Sequence, residues 1–291
     1  MVFEEKSLKI KNEIICFLKD KVENIFVDTK VINNIIFDLW IPDKKIGINF
    51  YELDAFREQR GYDRNFFVNN TLVCKENGIQ LLCVFEDEWV FKPEIVKSVL
   101  LSKLGIFKKR YFARKCQIQL INSGLKNTFL NKYHLQGKDN SSHIIGLTTG
   151  MTLLSLMTFG KRTIGGKKAV GFEMLRFCGL PNIQVIGGAS KVLKFFLRHY
   201  DVPKIKTFSD IRYSDGSFYE KIGFNFSHIS NPNYWYIVNN KRVHRVAYQK
   251  HKLAKKLKNF DPQKTEYENV LENGVDRIWD SGNHVFKIDR G

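Results

Sequence analysis

IIFDLWIPDKKIGINF (residues 35–50) and, after a polar stretch, NNTLVCKENGIQLLCVFEDEW (residues 69–89) decide how this chain is read. Ile35–Trp40 is an apolar run of strand length. Pro42-Asp43 is a turn signal, and Lys45–Phe50 returns as a second strand. Asn69–Asn77 is patterned as a helix that stops at Gly78. Ile79–Phe85 is again an apolar run of strand length. One acid, Asp38, stands inside the first strand, where an unpaired carboxylate is costly. It needs a cation, either a nearby lysine or a hard divalent metal.

Working outward, residues 6–20 (KSLKIKNEIICFLKD) carry apolar residues at helical spacing. Residues 52–66 read as irregular, and Glu94–Leu104 as an amphipathic helix ended by Gly105. Residues 1–105 thus form one α/β domain. FKKRYFARK follows, holding Lys108, Lys109, Arg110, Arg114 and Lys115 and no acid, so residues 106–116 are read as a basic linker. Residues 117–291 make a second domain. There, Thr128–Tyr133 is a short helix, and residues 143–161 read as two strands across a glycine turn. FEMLRFC is a third strand, and a glycine pair runs into the helix ending near Tyr200. IKTFSDIR is a strand, GSFYEKIGF a short helix with a turn, and YWYIV a strand. Residues 241–258 hold eight Lys/Arg and two His without an acid.

The composition bounds the class. A length of 291 residues suffices for two cores. No apolar run reaches membrane-spanning length, and the charged start MVFEEKSLKI lacks a signal core. A cytoplasmic protein is expected. Five scattered cysteines without a CxxC pair argue against structural zinc or a disulfide framework, and each is read as a small buried residue. A net charge of +17 points to a polyanion, most simply nucleic acid. Lys108, Lys109, Arg110 and Arg114, with Arg242, Arg245, Lys250, Lys252, Lys255 and Lys256 behind the aromatic YWY run, are the expected phosphate contacts.

An acid on a hairpin strand, followed by strand, helix and strand, is an arrangement suited to metal-dependent phosphodiester cleavage. That chemistry needs Mg²⁺ held by carboxylates at strand ends. FDLWIPDKKIGINF, the run from Asn70 to Gly105, YFARKCQIQ and SSHIIGLTTGMTLLSLMTFGK together resemble phage homing endonucleases whose nuclease domain is similar to the very-short-patch repair (Vsr-like, PD-(D/E)xK-related) enzymes. The likeness covers nearly the whole chain, and FEDEW is its most specific part. It implies a restriction-endonuclease-like first domain that binds and cuts double-stranded DNA with Mg²⁺. Glu13 and Asp38 match the metal-binding acids. Asn49 stands where the family has Glu, Phe56 and Phe67 where it has His, and Asn70 where it has Lys. The resemblance therefore implies a retained fold with a degenerate centre.

The second half runs strand–strand–strand–glycine loop–helix–strand–short helix–strand. This order, with VIGGASKVL (185–193) and GSFYEKIGF (216–224), resembles an acyltransferase of the GNAT type. The overall expectation is a small nuclease-like α/β domain followed by a mixed α+β domain with a GNAT-like core. In such a core Gly187, Gly188 and Ala189 would offer backbone N–H groups to a cofactor pyrophosphate. The same GG-A-S stretch also reads as a plain helix start. Asp210, Arg212, Ser214 and Tyr219 would sit near a substrate base, or serve as an internal ion pair and core. Three functions are open on the sequence: a DNA-binding protein of the homing endonuclease class, a GNAT-like group transferase acting on DNA or another substrate, or a non-catalytic nucleic-acid-binding protein.

Overall fold

Asp38 and its strand lie in the first of two compact units into which the chain divides in the computed structural model, which describes residues 2–32, 35–163 and 170–290. Unit 1 comprises Met1–Phe91, Asp210–Tyr213 and Asn231–Gly282. Unit 2 comprises Lys92–Ser209, Ser214–Ser230 and Asn283–Gly291. Residues 92–105, expected with the first domain, cluster with the second unit, and residues 231–282, expected with the second domain, cluster with the first. The molecule is a mixed α/β protein.

Unit 1 starts with α1 (Val2–Lys19), then β1 (Phe26–Ile32), β2 (Ile35–Ile41), β3 (Ile46–Tyr51), α2 (Phe66–Glu76), β4 (Gln80–Phe85) and α3 (Glu86–Phe91). The sheet order is β1-β2-β3-β4, with β1, β2 and β3 antiparallel and β4 parallel to β3. The hairpin, helix and strand expected from the sequence are present. β1 is an additional edge strand, and α2 starts three residues earlier than its pattern indicated. Lys45 at φ 51° closes the hairpin turn.

Gly47 is required for packing. A Cβ there would lie 2.7–2.9 Å from three ring atoms of the fully buried Phe37. Gly47→Ala is expected to lower stability by about 1–3 kcal/mol through overpacking. A urea midpoint shifted by less than half a kcal/mol would show that the ring moves aside.

Unit 2 contains α4 (Pro93–Lys103), β5 (Lys109–Phe112), β6 (Gln117–Leu120), α5 (Ser123–Tyr133), β7 (His143–Thr149), β8 (Thr152–Thr163), β9 (Val170–Gly179), β10 (Ile183–Ile186), α6 (Gly188–His199), β11 (Lys204–Asp210), α7 (Ser217–Lys221) and β12 (Asn225–Ile229). The expected linker is not a linker: Lys109–Phe112 is a strand paired in parallel with β10. Residues 231–282 then supply unit 1 with β13 (Tyr234–Val238), β14 (Lys241–His244), α8 (Lys250–Leu253), α9 (Glu266–Glu272) and β15 (Arg277–Trp279), before β16 (Asn283–Asp289) returns to unit 2.

Seven strands of unit 2 form one sheet in the order β12-β16-β11-β9-β8-β7-β6. The amphipathic α6 packs its Val192, Leu193 and Phe196 on this sheet, where Phe196 stacks on Phe159 at 3.7 Å. In unit 1, Ile278 of β15 is buried with Phe37, Tyr51, Phe67 and Phe85. The three strands β14-β13-β15 complete that unit. Cys74, Cys83, Cys116 and Cys178 are buried as expected, but Cys16 is exposed. Among the described residues no helix is long and apolar enough to cross a membrane.

Candidate functional site

In unit 1 the hairpin strand β2 carries Asp38 against Lys11 of α1, and its charge is answered internally. Lys11 Nζ lies 3.1 Å from Asp38 Oδ1, and the Phe50 N–H donates to Oδ2 at 2.7 Å. Lys11 also pairs with Asp28. Burial lowers the Lys11 pKa, but Asp28 and Asp38 outweigh it and hold the ammonium above its usual range. Asn49 spends its amide on the main chain: Oδ1 accepts from the Asp38 N–H at 3.2 Å, and Nδ2 donates to Ile36 O at 3.1 Å. Glu13 Oε2 accepts from Trp89 Nε1 at 2.9 Å. The cavity bounded by Lys11, Asp38, Ile48 and Phe50 holds about 10 Å³, at most the room of a single water.

These residues do not fit a Mg²⁺ site. A lysine ammonium occupies the metal's place beside Asp38, and no group of three His, Cys, Asp or Glu suited to a metal occurs among the described residues. Phe56 and Phe67 are core, packing edge-on against Tyr51 at 4.8 and 4.9 Å.

The acids of FEDEW form the first turn of α3 and also an ion-pair centre. Glu86 accepts from the Leu53 N–H at 3.2 Å. Asp87 pairs with Arg242 Nε at 3.0 Å. Glu88 receives Arg212 Nη1 at 3.0 Å, Arg242 Nη2 at 2.7 Å and the Tyr213 hydroxyl at 2.8 Å. Burial would raise the Glu88 pKa, but the two guanidiniums dominate and bring it down to about 2. Arg212 also pairs with Asp210 at 2.7 Å, the internal partnership the sequence allowed.

Arg242, expected on phosphate, is buried in this network. Lys252, also expected there, donates to Val246 O at 2.7 Å and staples its own turn. Arg245, Lys250, Lys255 and Lys256 are exposed, with Arg245 over the Tyr234 ring and Lys256 over Tyr248. Residues 241–258 are not one basic helix: β14, a 3-10 turn and the four-residue α8 divide them.

Unit 2 carries a different constellation. β9 pairs in parallel with β11 at Ile205↔Phe172, Lys206↔Glu173 and Thr207↔Met174. The pairing then ends, although β9 continues to Gly179 and β11 to Asp210. On its other side β9 stays paired to β8, with a register shift between Thr158↔Arg176 and Phe159↔Met174 that makes Leu175 a bulge. The strands therefore part in mid-sheet, directly at a bulge.

Arg176 stands beside that bulge. Its Nη1 donates to Leu175 O at 2.7 Å, and its buried Nε has no partner among the described residues. His134, at the end of α5, accepts on Nδ1 from the Gln136 N–H at 3.2 Å. Burial first, and then Arg176 and Lys92, push its pKa down to about 3. The ring is neutral at pH 7 and its proton is assigned to Nε2. Asp139 buttresses the loop after α5: the buried Lys126 ammonium lies 3.0 Å from Oδ1, and Thr158 Oγ1 donates to Oδ2. Burial opposes ionisation of Asp139, yet Thr158, Ser141 and Lys126 hold its pKa below the usual value. Tyr219 on α7 stacks on Phe286 at 5.1 Å and lies within electrostatic reach of Arg176. Ser214 Oγ accepts from the Gly216 N–H at 3.2 Å.

The glycine loop is built as a close contact. Gly187 adopts φ 74° before α6. A Cβ on Gly188 would come within 3.1 Å of Val185, and Ala189 is buried. Lys191 turns away from the loop and donates to Ala113 O at 2.9 Å and to Cys116 O.

The sequence reading missed Lys11, Lys126, His134, Asp139 and Arg176 as site residues. Arg176 carried a signal, because a charge inside the apolar FEMLRFC is as anomalous as Asp38 inside IIFDLWI.

No family model matches the chain, and no curated protein matches it. Among solved structures, an acetyltransferase from Bacillus subtilis in complex with CoA aligns over 61% of this chain and 100% of its own, with 11% identity and a TM-score of 0.33.

Proposed function

We propose that unit 2 is a GNAT-like group transferase that moves an acyl group from a coenzyme-A-type thioester to a nucleophile on nucleic acid. The observation that carries this reading is the parting of β9 and β11 at the Leu175 bulge. Strand backbone that loses its neighbour inside a sheet needs another hydrogen-bonding partner. An extended, amide-bearing arm such as pantetheine has the shape and the hydrogen-bonding groups of a strand.

Around that gap Arg176 and the neutral His134 are positive or N–H-donating groups, suited to a carbonyl oxygen on which negative charge develops. The donor supplies an activated acyl carbon. The attacking nucleophile forms the new bond and releases its proton to water, the carbon–sulfur bond breaks, and the thiolate takes a proton from the Tyr219 phenol, which recovers it from solvent. The succession β7, β8, β9, glycine loop, α6, β11 and α7 follows the order that led to the GNAT expectation, although β10 intervenes before the loop and YWYIV, the last strand of that expectation, is β13 of unit 1. The net charge of +17 favours a polyanionic acceptor.

Thermal unfolding with acetyl-CoA and a panel of longer acyl-CoAs tests the proposal. A donor at a hundredfold excess over its Kd is expected to stabilise the protein by about 2.7 kcal/mol. Absence of a shift with every donor would sink the reading. The Lys11–Asp38 pair adds a second expectation: supercoiled DNA stays intact with Mg²⁺. Nicking that Asp38→Ala abolishes would restore the nuclease.

A further inference from the structure

Strands β5 and β10 form a two-stranded parallel ribbon, an arrangement usually buried on both faces. Only one face is covered here. Tyr111, Ile183 and Val185 pack on the core of unit 2. The opposite face carries Arg110 beside Gln184 and Phe112 beside Ile186, as the register dictates. Phe112 is 47% exposed and Ile186 41%. The Arg114 guanidinium lies 5.3 Å over the Phe112 ring. Lys108, Lys109, Arg110, Arg114 and Lys115 are all exposed, residues 108–115 contain no acid, and no ion pair among the described residues engages these five side chains.

We infer that this ribbon is a platform for single-stranded nucleic acid. An unpaired base stacks on Phe112, and the flanking phosphates lie against Arg110 and Arg114. The inference rests on the nucleic-acid reading of the acceptor and narrows it to unpaired strands. A half-exposed aromatic ring on a basic strand offers a stacking face that every base can use once it leaves a duplex, while the cations follow the backbone. A duplex hides the π-faces of its bases and gives Phe112 nothing to stack on. The ribbon is also fixed to the start of α6, through Lys191 on Ala113 O and Cys116 O, so a strand held here is anchored next to the glycine loop.

Fluorescence anisotropy of the full chain with a labelled single-stranded oligonucleotide and with its duplex tests this. Phe112→Ala is expected to weaken single-strand binding about tenfold and leave duplex binding within about twofold. Because Phe112 is half exposed, the variant should fold, which its melting curve checks. Arg110→Ser with Arg114→Ser is expected to flatten the single-strand salt slope by roughly 1.4, two contacts at about 0.7 each. Equal losses on duplex would make the ribbon a groove reader and overturn the inference, as would unchanged single-strand binding in both variants. If Phe112→Ala instead abolishes stabilisation by acyl-CoA while single-strand binding persists, the ribbon belongs to the donor and the inference is again overturned. Failure of every donor to bind, with Phe112-dependent single-strand binding intact, defeats the transferase reading and leaves this one standing.

Discussion

Glu88→Ala is expected to destabilise unit 1 by about 3–5 kcal/mol, the largest effect of any single substitution considered for this chain. Its carboxylate is 9% exposed and receives two guanidiniums and a phenol. Removing it leaves Arg212 and Arg242, both under 10% exposed, with their charges under-compensated in a dry site. Asp210 and Asp87 still hold one guanidinium each, which places the expectation within that range rather than beyond it. A fall in melting temperature of roughly 10 °C is the corresponding signal. Glu88→Ala combined with Arg242→Ala should cost less than the sum of the two single changes, because the second change removes the orphan created by the first. Additive losses would show that the two side chains are independent.

The same carboxylate has a pH signature. Its folded pKa, about 2, lies below the ordinary value of 4.5, so its contribution is complete above about pH 4.5 and disappears as pH falls towards 2. Acid titration of the wild type should therefore show a loss of stability across that window. The loss should be smaller in Glu88→Gln, which has no proton to gain. Identical acid profiles would remove Glu88 as its source.

Arg176→Met should lower the rate of group transfer by about 10²- to 10³-fold. The guanidinium sits at the bulge where β9 leaves β11, is half-buried, and has an Nε without a partner among the described residues. A substrate oxygen would complete its hydrogen bonding. Methionine preserves most of the stem, so the fold should survive, and the neutral His134 should recover a pKa nearer its usual value once the adjacent charge is gone. Thiol release from acyl-CoA measures the first effect and imidazole NMR titration the second. A variant that folds, shifts the His134 titration and still transfers at the wild-type rate would remove Arg176 from the reaction.

The elements of unit 1 were legible because their signals are local. Alternation and apolar runs marked β2, β3 and β4, the Pro42-Asp43 turn marked the hairpin, and Gly78 marked the end of α2. In unit 2, β7, β8, β9, α6 and β11 were equally readable, since those strands carry apolar runs and α6 has one apolar face, whereas the short β10 and the exposed, polar β12 (NFSHI) left no such signal. The basic stretch at 106–116 was misread as a linker for a physical reason. A strand at the border of a domain needs few apolar residues, and its pairing with β10 depends on a segment some seventy positions away, which no local pattern records.

What the sequence by itself determined is the elements with strong local patterns, β2 to β4 and β7 to β9 with α2 and α6 among them, the excess of positive charge and the anomaly of a charge placed inside an apolar strand at Asp38; the like anomaly at Arg176 was there to be read and was not. Only the tertiary structure decided what those charges meet. Asp38 finds the ammonium of Lys11, Arg242 leaves the expected nucleic-acid surface for Asp87 and Glu88, and Arg176 keeps a donor that no described residue answers where two strands part. The reason is that the cost of a buried charge depends on its partner, and the partner is brought in by packing between segments distant in the chain.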